Sequence, residues 1–128
     1  DGVVVARHAQ GTMLRIADHL LFDSASASLT PSGKATLAQL TDKLSAFPGR
    51  ISVEGHSDNR PITTSRYPSN WELSSARASA VLRFLTQQGI DATRLRAIGY
   101  ADTKPLSSND NAQGRASNRR VELVLHSD

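Results

Sequence analysis

Apolar residues in this chain recur with two different periods, and the switches between them mark out the elements. Residues 3–8, VVVARH, and 12–17, TMLRIA, are short apolar runs on either side of Gln10-Gly11, which predicts a β-hairpin. In LTPSGKATLAQLTDKLSAFPG the period lengthens: Leu37, Leu40, Leu44 and Phe47 recur at spacings of three and four, the apolar stripe of a helix. Thr30 precedes Pro31, which suits the first helical position because the N–H it lacks would have no partner there. Pro48-Gly49 ends the helix. RISVEGH returns to alternation, with Ile51, Val53 and Gly55 on one face and Ser52, Glu54 and His56 on the other.

A long polar connection from Ser57 to Ser69 follows, with two prolines and no apolar period; loops of that length inside a compact domain are usually functional. SNWELSSARASAVLRFLTQQG then predicts a second helix. Ser69 and Glu72 have capping-box spacing, Asn70 is an alternative cap, and Gly89 is a natural residue just past the end. Its stripe runs through Leu73, Ala76, Ala80, Phe84 and Gln87, with Val81 and Leu85 beside it. LRAIGYA predicts a strand, so the unit is β-α-β with parallel strands. PLSSNDNAQGRASN is expected to be a second polar loop, and RRVELVLH a closing strand with Arg119 on the face of Val121, Leu123 and Leu125.

Composition narrows the classes. At 128 residues the chain suits one domain with a real core. With no cysteine it has neither disulfides nor thiolate chemistry. No apolar run reaches the roughly 18 residues that cross a bilayer, and no signal peptide is expected in a chain that opens on VVVARH, as a mature or excised domain would. The net charge of +3 arises beyond residue 49, since the first 49 residues balance four basic against four acidic groups. There is no basic run of five and no aromatic ladder, and most of the few aromatics are expected in the core, so a nucleic-acid partner is not expected. His8, His19, His56 and His126 share no short ligand spacing, so neither a metal nor a cofactor is expected.

EGHSDNRP, residues 54–61, sets His56, Ser57 and Asp58 side by side, the residue types of a hydrolytic triad. Consecutive residues on extended chain point to opposite sides, and Ser57 lacks a strand-to-helix nucleophile elbow. No enzyme is expected. The expected role of Ser57 is a hydroxyl bonded to nearby backbone. Asp58 has a better partner in Arg77, which lies on the helix returning from the same loop. An arginine near the positive end of a helix is a mild electrostatic misfit that a bound anion would relieve, while Asp58 would take an ammonium. Together they complement a zwitterion. The alternative is an internal Asp58–Arg77 salt bridge that only fixes the loop, and the residues alone leave both open.

GHSD, NWELSSARA, LRAIGYAD, KPLSSNDN and GRASNRRVEL fall in order with the spacing of the OmpA-like peptidoglycan-binding domain, and the chain resembles that family over about residues 20–126. The resemblance implies an α+β fold: an OmpA-C-like mixed β-sheet, two main helices packed on one face and an N-terminal β-hairpin extension. It divides the chain into residues 1–19, the extension, and 20–128, the domain. It implies non-covalent binding of the peptidoglycan stem peptide through its diaminopimelate. Asp58 and Arg77 would hold the zwitterionic end, with Asn70 and Leu73 on the rim, Ser57 at the edge, and Arg119 or Arg120 completing the polar wall. Ser57 stands where the family usually has threonine. The wording of residues 59–73, NRPITTSRYPSNWEL, is most similar to the stator branch of the family, the MotB type. That branch implies a periplasmic homodimer anchored in the inner membrane, with a MotA-like channel subunit as partner. A wall anchor of another envelope system is the alternative.

Overall fold

A computed structural model describes residues 2–8 and 11–126. Five strands form one mixed sheet: β1 (Val3–His8), β2 (Gly11–Ala17), β3 (Arg50–His56), β4 (Leu95–Gly99) and β5 (Arg120–His126), in the order β1-β2-β5-β3-β4. The helices are α1 (Pro31–Ala46), α2 (Asn70–Gln87) and α3 (Ala112–Asn118). Single 3₁₀ turns at Asp18–Leu20 and Ala92–Arg94 lead out of β2 and into β4. The predicted α+β class and the parallel β3–α2–β4 unit are both present. β5 inserts antiparallel between β2 and β3, so β3 is hydrogen-bonded on both sides. The hairpin pairs as predicted, although its turn lies outside the described residues.

One sheet face carries the core. Leu14 and Ile16 from β2, Ile51 and Val53 from β3, and Val121, Leu123 and Leu125 from β5 meet Leu37 and Leu44 of α1 and Val81, Phe84 and Leu85 of α2. Each such fully buried side chain stabilises the fold by about 1.5–3 kcal/mol. The buried stripe of α2 is broader than the predicted one and rotated from it: Gln87 is exposed and Ala76 half-buried, whereas Ser74, Arg77 and Ala78 are buried. Two glycines allow this close seat. A Cβ on Gly55 would run into the Ser74 backbone carbonyl, and one on Gly99 into the Ser75 backbone and hydroxyl.

Two expectations are corrected. The stretch around residues 105–118 is not all loop, because Asn111 caps a short helix by accepting the Gly114 N–H at 2.7 Å. Arg119 is not in β5; it is the C-cap of that helix, and β5 begins one residue later. Among the aromatics, Trp71 stays outside the core, 51% exposed on the first turn of α2.

Candidate functional site

β3 ends at His56, and the chain turns at Ser57 and Asp58 under tight control from α2. Ser74, buried in the second turn of α2, accepts the Ala101 N–H on its hydroxyl at 3.1 Å. Ala101 in turn accepts the Ser57 N–H at 2.8 Å. Ala101 holds φ at 51°, a left-handed conformation that costs a residue with a Cβ of order 1 kcal/mol and that clusters at functional sites. The Ser57 hydroxyl donates to the Asp58 carbonyl at 2.9 Å, the backbone bond expected for it. Asp58 closes the turn by accepting the Arg60 N–H on Oδ1 at 3.0 Å.

The turn forms one wall of an open cavity of about 450 Å³. Ser57, Asp58, Asn70, Leu73, Arg77 and Arg119 all line it, joined by Asp18, Phe22 and Arg60, which sequence reasoning missed. Arg120 is not brought to the cavity. Strand alternation turns it to the opposite sheet face, where it is buried on Glu122 Oε2 at 2.8 Å and on the Asn118 and Lys104 carbonyls.

The ion pairs are not those considered from the sequence. No direct Asp58–Arg77 bridge exists among the described residues. Arg77 donates from Nη1 to Asp18 Oδ2 at 2.8 Å, from Nε to the Ser26 carbonyl at 2.7 Å and from Nη2 to the Asp23 carbonyl at 3.0 Å. Its guanidinium also lies over the Phe22 ring, 4.9 Å from the centroid. Arg77 thus ties the segment after β2 to α2, and two of its five N–H groups make no hydrogen bond among the described residues. Asp58, its side chain only 6% exposed, takes Arg119 Nη1 on Oδ2 at 2.6 Å and Arg60 Nε on the same oxygen at 3.1 Å. Arg119 also approaches Asp18 Oδ1 at 3.9 Å, so the two pairs form one alternating row. Burial pushes the Asp58 carboxyl up, but the Arg119 bond, the Arg60 N–H and both positive charges outweigh it and hold the group below its ordinary value.

Asn70 is not the helix cap. Ser69 takes that place, accepting the Trp71 N–H at 3.2 Å and bonding Glu72. Asn70 is thereby released to donate to the Arg60 carbonyl at 2.8 Å and the Asp58 carbonyl at 3.4 Å, fixing the loop over the cavity. Buried Asn118 organises the second loop: it accepts the Leu106 and Ser107 N–H groups and donates to the Ser107 carbonyl and Asn109.

A second polar cluster lies on the other sheet face. Glu54, His56 and Glu122 bring one potential ligand atom each within 4.8 Å of one another, a grouping that histidine spacing could not reveal. Among the described residues both ring nitrogens of His56 lack a hydrogen-bond partner, and its ring stacks on Tyr100 with centroids 5.2 Å apart. By ligand type the trio could accept a divalent cation. Glu122 Oε2, however, is already held by Arg120 and by Arg15 at 3.5 Å, so two carboxylates face two guanidiniums and a dication would leave the cluster in excess positive charge.

Residues 21–119 match the OmpA family. The structure superposes with TM-score 0.92 and 44% identity on the cell wall anchor of the T6SS from Pseudomonas aeruginosa, covering 98% of this chain and 88% of that one. Among curated relatives, Motility protein B of Bacillus subtilis is 36% identical over 91% of this chain and 46% of its own length. Peptidoglycan-binding protein ArfA of Mycobacterium tuberculosis is 34% identical over 84% of this chain and 32% of its own. The chain spans about half the length of the first curated relatives it matches. No helix among the described residues is long and apolar enough to cross a membrane. With most of its length matched and its backbone shared end to end with a wall anchor, the chain belongs to the OmpA family.

Proposed function

We propose that this domain binds peptidoglycan without catalysis, seating the diaminopimelate of a stem peptide in the cavity between the β3–α2 loop and the segment after β2. The observation that carries the proposal is the alternating row Arg77–Asp18–Arg119–Asp58 along that cavity, a surface matched in charge to a zwitterion. Asp58 receives the ammonium. Arg119 and the two spare N–H groups of Arg77 receive the carboxylate, since guanidinium–carboxylate bonds are the strongest of this kind. Asn70 and Leu73 shape the rim and Ser57 the edge. Two relatives, one a cell wall anchor and the other a peptidoglycan-binding protein, support the same ligand.

The test is pull-down on intact wall sacculi with wild type, Asp58→Ala and Arg119→Ala. Folded variants should lose at least tenfold in retention; equal retention would remove the cavity from consideration.

We further propose that the whole protein places this domain in the periplasm, tethered through the inner membrane, and that it acts as a homodimer whose two sites gain avidity on a polymeric wall. Two machines fit that arrangement. One is the flagellar stator with a MotA-like channel subunit. The other is a secretion-system anchor, which the higher identity to the Pseudomonas aeruginosa protein favours: 44% against 36% for Motility protein B. Deleting the gene and scoring swimming against effector secretion separates them.

A further inference from the structure

Asp58 holds two guanidiniums on one carboxylate oxygen, and the two differ in footing. The Arg119 side chain is 31% exposed, lies 2.6 Å from Oδ2 and also reaches Asp18. The Arg60 side chain is 60% exposed, lies 3.1 Å from the same oxygen through both Nε and Nη2, and makes no other hydrogen bond or ion pair among the described residues. Its backbone, by contrast, is pinned, because its N–H is held by Asp58 and its carbonyl by Asn70. The side chain alone can therefore swing out while the loop stays in place.

We propose that Arg60 is a built-in competitor for the cationic group of the ligand, and that binding exchanges the Arg60 guanidinium on Asp58 Oδ2 for the ligand's ammonium. The proposal rests on the reading above that Asp58 receives an ammonium. A buried carboxylate stripped of its partners is strongly destabilised, and exchanging one cation for another keeps Asp58 paired with and without ligand. Arg60 thereby lowers affinity and speeds release, because it returns as the ammonium leaves. An exposed ion pair is weak, so the effect is modest: without the guanidinium, affinity rises about two- to fivefold.

The experiment is calorimetric titration of a diaminopimelate-containing stem tripeptide into wild type, Arg60→Ala, Arg60→Gln and Asp58→Asn, with the Arg60 and Arg119 Nε–H resonances of wild type followed by NMR. Expected are loss of binding in Asp58→Asn, about two- to fivefold tighter binding in both Arg60 variants, and a saturating shift of the Arg60 resonance. If Asp58→Asn binds as wild type does, or wild type does not bind, the site assignment itself falls and the competitor with it. If Asp58→Asn abolishes binding while both Arg60 variants bind no tighter than wild type, the site stands and the competitor is overturned.

Discussion

The two aspartate–arginine units of the cavity are built alike and anchored differently. Arg77 is buried, and every bond it makes goes to the segment running from Asp18 to Ser26, so it is a strut between that segment and α2. Arg119 and Arg60 are partly or mostly exposed and converge on one carboxylate. Burial thus separates a unit that holds the cavity open from one whose partners can be exchanged. On the proposed reading the same residue types divide the work: Arg77 is mainly a strut that offers a guest only its two spare N–H groups, and Asp58 with Arg119 does most of the recognition.

The largest effect should follow from breaking the strut. Arg77→Met leaves Asp18 without its closest cation and two carbonyls without donors, and should cost about 3–5 kcal/mol in urea unfolding. A loss under about 1 kcal/mol would place Arg77 with the exchangeable group instead. Next, Asp58→Asn keeps the shape and removes charge-assisted bonds, for an expected loss of about 1.5–3 kcal/mol, together with loss of sacculus retention. The third prediction concerns pH. Because the folded-state Asp58 carboxyl lies below its ordinary value of 3.8, its stabilisation is fully present above that value and disappears as pH falls through the folded value. The stability gap between wild type and Asp58→Asn should stay constant near neutral pH and close only below the ordinary carboxylate range. A gap that closes near pH 6 would implicate a histidine. Smallest of all, Arg60→Ala should change folding stability by less than about 1 kcal/mol, as for any exposed pair.

Much of this molecule is legible in its apolar periods and caps. Thr30, Ser69 and Gly89 mark helix ends where the structure has them, because capping is a local event readable within a few residues. Asp58, Arg77 and Arg119 were legible as candidates, and the structure brings them to one cavity, but their pairing was not legible. Which carboxylate meets which arginine depends on side-chain direction across elements, and Asp18 sits in an apolar stretch with nothing nearby to single it out. α3 escaped because AQGRASN has no apolar stripe; what holds it is the Asn111 cap and the bonds of Asn118, and only the cap offers a sequence signal. Arg60 escaped because a loop arginine has no period at all.

The position of the proposed recognition pair also bears on how the domain would carry force. Asp58 lies two residues beyond the end of β3, and Arg119 immediately precedes β5, its antiparallel neighbour; His56 and Arg120 are paired across that junction. A pull on a guest gripped by both residues therefore enters two adjacent strands at the same end of the sheet and runs along them. β3 is laced to β4 and β5 to β2, so a load that enters the two central strands together passes to the rest of the sheet as shear along those flanking ladders instead of peeling them one bond at a time. Loaded in this way, the domain is expected to let go of its guest before its sheet comes apart.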